Sequence, residues 1–268
     1  MSTRESTPAV VVGIDGSRAA VQAALWAVDE AADRNVPLRL VYVVDLSKLS
    51  GGVEQRQATA RTALYDAFRA VEATGKRVTV ETDVLWGKPL NKLMEESRSA
   101  AMICVGSMGL NHARSGQGSV AGTLAGSSLC PVAVINRSPD AADAARTPRV
   151  QRVVAEVDNG AVLRHAFRQA RLRGVPLRAV CVQAAPALVA AGGESRTEPT
   201  KLDRRLSRWT RLYPDVPVEQ AVVRGHPYRY LADCATPNQL LVTDSHTAQV
   251  CSVYNAGSSV LTVRCGNL

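Results

Sequence analysis

The sequence predicts an α/β fold of the doubly wound kind, and three observations carry that prediction. Short Val-rich runs alternate with amphipathic stretches, no hairpin signal joins neighbouring runs, and the alternation occurs twice along 268 residues. Aromatic residues make up only 4% of the chain, so Ala, Val and Leu must build the core. That composition suits helices packed on parallel strands better than a β-sandwich.

The duplication is legible residue by residue. "VVVGIDGS" at 10–17 has a weaker echo in "VVAEVDNG" at 153–160, and "RNVPLRLVYVV" at 34–44 returns as "RGVPLRAVCVQ" at 173–183. "VLWGKPLNKL" at 84–93 returns as "VVRGHPYRYL" at 222–231, and "AGSS" at 125–128 recurs at 256–259. Four matches in one order describe two copies of one domain. The boundaries expected are 1–138 and 149–268, joined by the polar, Pro- and Ala-rich "RSPDAADAARTP" at 137–148.

In the first copy the apolar runs predict strands at 9–14, 38–44, 78–84, 102–106 and 132–136. Helices are expected near 17–34, 54–74, 89–99 and 119–129. Ala20, Ala24, Ala27, Val28 and Ala31 form one stripe of the first helix, with Asp29, Glu30 and Asp33 off it. Ala60, Leu64, Ala67, Phe68 and Val71 repeat the spacing in the second helix. The second copy predicts strands near 151–157, 177–183, 218–223, 239–243 and 260–264. Its helix at 201–213 sets Leu202, Leu206, Trp209 and Leu212 or Tyr213 on one side. Arg204, Arg205, Arg208 and Arg211 fall on the others, which fits either core packing or contact with an anionic partner.

Composition narrows the function classes. The N-terminus lacks the apolar core of a signal peptide, and no apolar stretch is long enough to span a bilayer. Six scattered cysteines without a C-x-x-C pair fit a reduced, cytoplasmic protein, and four histidines show no metal-ligand spacing. Residues 1–140 carry 15 basic and 14 acidic side chains, whereas residues 141–268 carry 17 and 10. The basic second half fits solvated helix faces or an anionic partner.

Open parallel sheets bind ligands beyond the carboxyl ends of their strands, where strand order reverses. Two loops of the first copy are equipped for that. "GIDGS" follows strand one, with Asp15 at the strand end, and "CVGSMGLNHARSGQGSVAG" at 104–122 contains and follows strand four. Gly106 and Gly109 allow close backbone approach, and Gly118-Ser119 stands where the next helix should begin, a favourable place for phosphate. Asp15 is a candidate acceptor for ribose hydroxyls. A capped helix and a flexible loop would present similar residues.

These motifs, with Gly87-x-Pro89 and "CPVAVI" at 130–135, resemble the universal stress protein family in the tandem form common in actinobacteria. The resemblance implies two Rossmann-like domains of the adenine-nucleotide alpha-hydrolase-like type. Each would hold a five-stranded parallel sheet of order 3-2-1-4-5 with helices on both faces. It also implies ATP or another adenine nucleotide at the switch point, and fifth-strand edges that pair the two domains as an intramolecular pseudo-dimer. Carried over by position, Gly13 and Ile14 line the pocket, Asp15 meets the ribose, and the Val43 backbone reads the adenine edge. Gly106, Gly109, Gly118, Ser119 and Val120 cradle the phosphates.

Eight residues separate Gly109 from Gly118, one fewer than the family spacing, and "RSGQ" replaces the apolar residues usual before Gly118. Arg114 in this loop is a further candidate phosphate contact. In the second copy Asp158 preserves Asp15, but Glu156 replaces Gly13. Thr243 is expected at the position of Gly106 and His246 at that of Gly109, so this copy is expected not to bind ATP. The glycines run into G-S-V rather than G-K-(S/T), so no Walker lysine is present, and Asp15 is the nearby carboxylate for a Mg²⁺. The function expected is a non-catalytic stress-response protein that senses or sequesters an adenine nucleotide and acts through a protein partner. A homodimer is compatible with it. The alternative is an interaction scaffold without nucleotide; nucleic-acid binding ranks below both.

Overall fold

The computed structural model describes residues 8–45, 47, 52–107, 120–136, 150–183, 198–224, 236–245 and 257–264. The first half runs β1 (Val10–Ile14), α1 (Arg18–Arg34), β2 (Leu38–Val44), α2 (Val53–Glu72), β3 (Val80–Trp86), α3 (Pro89–Glu96), β4 (Met102–Gly106), α4 (Val120–Ser127) and β5 (Val132–Ile135). The second runs β6 (Arg152–Glu156), α5 (Gly160–Arg173), β7 (Leu177–Gln183), α6 (Glu198–Leu212), β8 (Val218–Arg224), β9 (Gln239–Asp244) and β10 (Ser259–Val263).

All ten strands form one sheet, in the order β3-β2-β1-β4-β5-β10-β9-β6-β7-β8. Each half therefore keeps the expected 3-2-1-4-5 order with parallel neighbours. The halves meet through their fifth strands, which pair antiparallel: Val132 opposite Thr262, Ala133 opposite Leu261, Val134 opposite Val260. The central Ala133–Leu261 rung marks a local pseudo-dyad. The expected fifth-strand pairing is thus realised within one chain.

Local chemistry explains the helix limits. Ser17 caps α1, its Oγ accepting from the Ala20 N–H at 3.1 Å, and Asn35 ends the helix in the left-handed region at φ 52°. Asn159 and Gly174 (φ 62°) do the same for α5. Pro89 occupies the first turn of α3, where no N–H is needed. β3 lies two residues later than the apolar run suggested. Its ladder with β2 starts at Leu38–Val80, and Gly87, at φ 141°, ends it by donating to the Val44 carbonyl. Helix α3 stops at Glu96 and α4 covers Val120–Ser127, both shorter than expected.

One core runs across the boundary between halves. It joins Trp26, Leu38, Leu64 and Met102 of the first half to Phe167, Leu177, Leu202 and Leu206 of the second, under α1, α2, α5 and α6. On the opposite sheet face, α3 and α4 cover Val11, Val41, Ile103 and Val132. The aromatic side of α6 packs inward, with Trp209 stacked on Phe167 at 6.0 Å and Tyr213 at 5.5 Å. Tyr213 rather than Leu212 completes that side, and Leu212 is exposed.

Helix α1 departs from the single-stripe expectation. It is buried on nearly every side, because a second stripe holding Trp26 and Glu30 faces α5. Glu30 has no exposed surface. Its carboxylate accepts from Gln169 Nε2 at 2.7 Å and Arg173 Nη2 at 3.1 Å, and pairs with Arg34 one turn along. The Arg173 guanidinium lies 4.2 Å from the Trp26 ring centroid, and Arg168 Nε donates to Asp33 at 2.6 Å. His165 is also held in α5; burial, then the guanidiniums of Arg34, Arg164 and Arg168, push its imidazole down to about 4.

That depressed value fixes the sign of an acid effect. Below about pH 6.5 the unfolded chain takes up a proton that folded His165 resists until about pH 4. Stability should therefore fall across that interval by up to about 3 kcal/mol beyond the background trend. His165→Leu should lose this component, seen as a flatter dependence of urea midpoint on pH.

Candidate functional site

Strand order reverses between β1 and β4, which are neighbours, so the first-half crevice opens beyond Ile14 and Gly106. Gly13, Ile14, Asp15, Val43 and Gly106 all lie at this carboxyl end, and Val120 opens α4 with its side chain exposed. Gly109, Gly118 and Ser119 lie outside the described residues, as does Arg114.

Asp15 sits in the turn from β1 to α1, where its Oδ1 accepts from the Ser17 N–H at 2.9 Å and Gly16 takes φ 84°. One carboxylate oxygen thus shapes the turn while the residue stands at the crevice rim. Burial first and Asp15 second raise the Tyr42 phenol above its ordinary value, and Tyr42 pairs in the sheet with Ile14, the residue before Asp15. In β2, Pro37 presents its carbonyl to β1, and Leu38 its N–H to β3. The alternation continues to Val44, whose carbonyl accepts from Gly87 on the β3 side. Val43 therefore turns its carbonyl toward β1 at the level where β1 has ended, a position suited to reading a ligand edge.

The two described glycines have structural reasons of their own. A Cβ on Gly106 would lie 2.7 Å from the Ala19 carbonyl carbon and 2.8 Å from its Cβ, so α1 needs this position bare. A Cβ on Gly13 would meet Leu93 Cδ1 and Val105 Cγ1 at 3.3 Å. Neither glycine has a positive φ. Close packing of α1, not a left-handed backbone, is what Gly106 supplies.

Sequence reasoning missed a hydrogen-bonded chain at the root of the β4 loop. Ser107 N–H donates to the Ile135 carbonyl at 2.9 Å, and Ser107 Oγ donates to Asn136 Oδ1 at 3.0 Å. The Asn136 N–H then donates to Ser259 Oγ of the second half at 3.1 Å. A polar residue directly after the apolar run 132–135 was the available signal.

The second crevice differs more than the sequence alignment indicated. Val10 and Val153 occupy equivalent places, donating to the carbonyls of Pro37 and Pro176. From them, the pairings Val12–Cys104 and Ala155–Val242 carry Gly106 onto Asp244, not onto Thr243 as the sequence suggested. The fifth-strand registers agree, since Gly106 faces Ile135 and Asp244 faces Val263. Glu156 occupies the place of Gly13, so carboxylates stand where Gly13 and Gly106 stand in the first half. Burial, then Asp244, raise the Glu156 carboxyl, so the two acids lie close. Asp158 pairs with Arg205. His246 lies outside the described residues.

Among the described residues no cluster of potential metal ligands is found, and no helix is long and apolar enough to cross a membrane. A groove of about 420 Å³ lined by Ala31, Asn35, Val36, Pro37 and Arg77 lies at the amino ends of the strands, opposite the crevice. The Cys104 thiol is raised well above its ordinary value and that of Cys130 to about 11, in both cases first by burial, so both stay protonated.

Packing makes two different demands on the glycines. Gly106→Ala should destabilise by about 2–3 kcal/mol, because the obstruction is helix backbone. Gly13→Ala should cost under about 1 kcal/mol, since the Leu93 side chain can yield. Urea denaturation of the two variants checks the difference.

A family model described as the universal stress protein family matches residues 8–136. A universal stress protein of Mycobacterium tuberculosis is 60% identical over 270 residues, covering 100% of both chains. Another from the same species is 41% identical over 244 residues, covering 87% of this chain and 84% of its own. The crystal structure of a universal stress protein from Archaeoglobus fulgidus shares the fold, with a TM-score of 0.67 at 15% identity and 98% of each chain covered. With the whole chain matched at that level of identity, this protein belongs to the universal stress protein family.

Proposed function

We propose that the chain is a cytoplasmic, non-catalytic stress-response protein whose first half binds one adenine nucleotide, with ATP the expected form. The observation that carries this reading is the contrast between the two crevices. In the first, Asp15, the Val43 carbonyl and the unsubstituted Gly106 converge at the switch point, and the N-terminus of α4 follows the same loop. In the second, Glu156 and Asp244 stand where Gly13 and Gly106 stand, and two carboxylates oppose a phosphate group. Asp15 would accept from ribose hydroxyls, Val43 would meet the adenine edge, and Gly106 with Gly109, Gly118, Ser119 and Val120 would hold the phosphates, with Mg²⁺ where the phosphates recruit it. Without a Walker lysine the site would bind rather than cleave, and binding would alter a surface read by a protein partner.

A nucleotide-free scaffold is the second reading. It draws support from the structural work already assigned to Asp15 and Gly106, which shape the turn before α1 and seat that helix whether or not a ligand binds.

Equilibrium dialysis of the full-length chain against ATP separates the two. One nucleotide per chain is expected, with affinity reduced about tenfold, or about 1.4 kcal/mol, by Asp15→Ala and unchanged by Asp158→Ala. No retained nucleotide together with an unshifted melting temperature would leave the scaffold reading.

A further inference from the structure

The sheet seam by itself does not tell one half from the other. Around the Ala133–Leu261 rung the β5–β10 pairing is a backbone ladder, and such a ladder would accept a second β5 as readily as a β10. Discrimination has to come from side chains, and on the sheet face that carries Ala133 and Leu261 the described helices beside the ladder are α1 and α5.

Counting both helices back from their C-caps, Asn35 and Gly174, pairs Arg34 with Arg173, Glu30 with Gln169, Asp29 with Arg168 and Trp26 with His165. Across the pseudo-dyad, Glu30 meets Gln169, its own counterpart, at 2.7 Å, and neither has exposed surface. Asp33 meets Arg168, the counterpart of Asp29. The last turns of α1 present three carboxylates (Asp29, Glu30, Asp33) and one guanidinium (Arg34). The facing turns of α5 present Arg168 and Arg173 and no carboxylate. The unlike seam therefore sets carboxylates of α1 against guanidiniums of α5, with Lys76 a further partner of Asp29.

We propose that this α1–α5 face is a partner-selecting surface, built to fit a second half and to reject a first half. A seam between two first halves would set Glu30 against Glu30 and each Asp33 against an Asp29. A seam between two second halves would bury Arg173 twice, at a place where only 7% of its side chain is exposed, with no Glu30 to receive either. The duplication thus converted a self-complementary contact into a complementary one. The face it fits is that of the other repeat of the same chain. This reading is independent of nucleotide binding.

The intact chain can be made to display a like-with-like seam. Gln169→Glu places carboxylate against carboxylate at the dyad, and Glu30→Gln leaves Arg34 and Arg173 without their shared acceptor. Each should lower the melting temperature by about 8 °C or more and accelerate amide exchange at Val132–Val134 and Val260–Thr262. The transposed double variant, Glu30→Gln with Gln169→Glu, exchanges the partners across the dyad and should recover at least half of that loss. A merely structural buried charge would show no such rescue. Should either single variant fail to fold, the half-exposed pair gives the same test: Arg168→Asp should weaken the seam and Asp33→Arg with Arg168→Asp restore it. Gln169→Glu as stable as the wild type, or double variants no better than the sum of their singles, would overturn the proposal.

Discussion

A carboxylate removed wholly from water must be met by hydrogen bonds and opposite charge, and Glu30 obtains most of its partners from the other half of the chain. Gln169 and Arg173 are 139 and 143 residues away, and only Arg34 comes from its own helix. Separation of the halves would leave this group either stranded or solvated at the expense of the core around Trp26. Buried ion pairs of this sort contribute little net stability compared with well-packed apolar side chains. Their consequence is geometric: this apposition of α1 and α5 gives Glu30, Gln169 and Arg173 each a polar partner.

Helix α1 carries that constraint to the crevice. It begins at the turn built by Asp15 and Ser17, passes Gly106 at Ala19 too closely for a Cβ to fit between them, and ends in the Glu30 cluster. One wall of the first crevice is therefore seated against the second half. The other wall is tied across the boundary as well, through Ser107, Asn136 and Ser259. The second half is thus packed and hydrogen-bonded against both walls of the first crevice. Glu156 and Asp244 are the last residues of β6 and β9.

Much of this was legible before any coordinates. The alternation of Val-rich runs and amphipathic stretches marked the elements, and the repeated "VPLR" and "G-x-P" segments marked two copies. The stripes through Ala24 and Val28, and through Leu202, Leu206 and Trp209, named core positions correctly. Asp15 and Gly106 were found at a strand end because both follow an unbroken apolar run. Equivalence within the second crevice was harder to read. A loop alignment put Thr243 at the place of Gly106, whereas strand pairing puts Asp244 there, because register is set by hydrogen bonds to neighbouring strands.

By itself the sequence determined the local periodicities, the order of elements and the duplication, since each is encoded in residues within a few turns of one another. The tertiary structure alone decided that Glu30 is core rather than surface, and that Gly106 is required by a helix and not by a positive φ. It also decided that Asn136 links a loop root to the other half. Each of these depends on groups brought together from distant parts of the chain, and an amphipathic pattern records that a face is covered without recording what covers it.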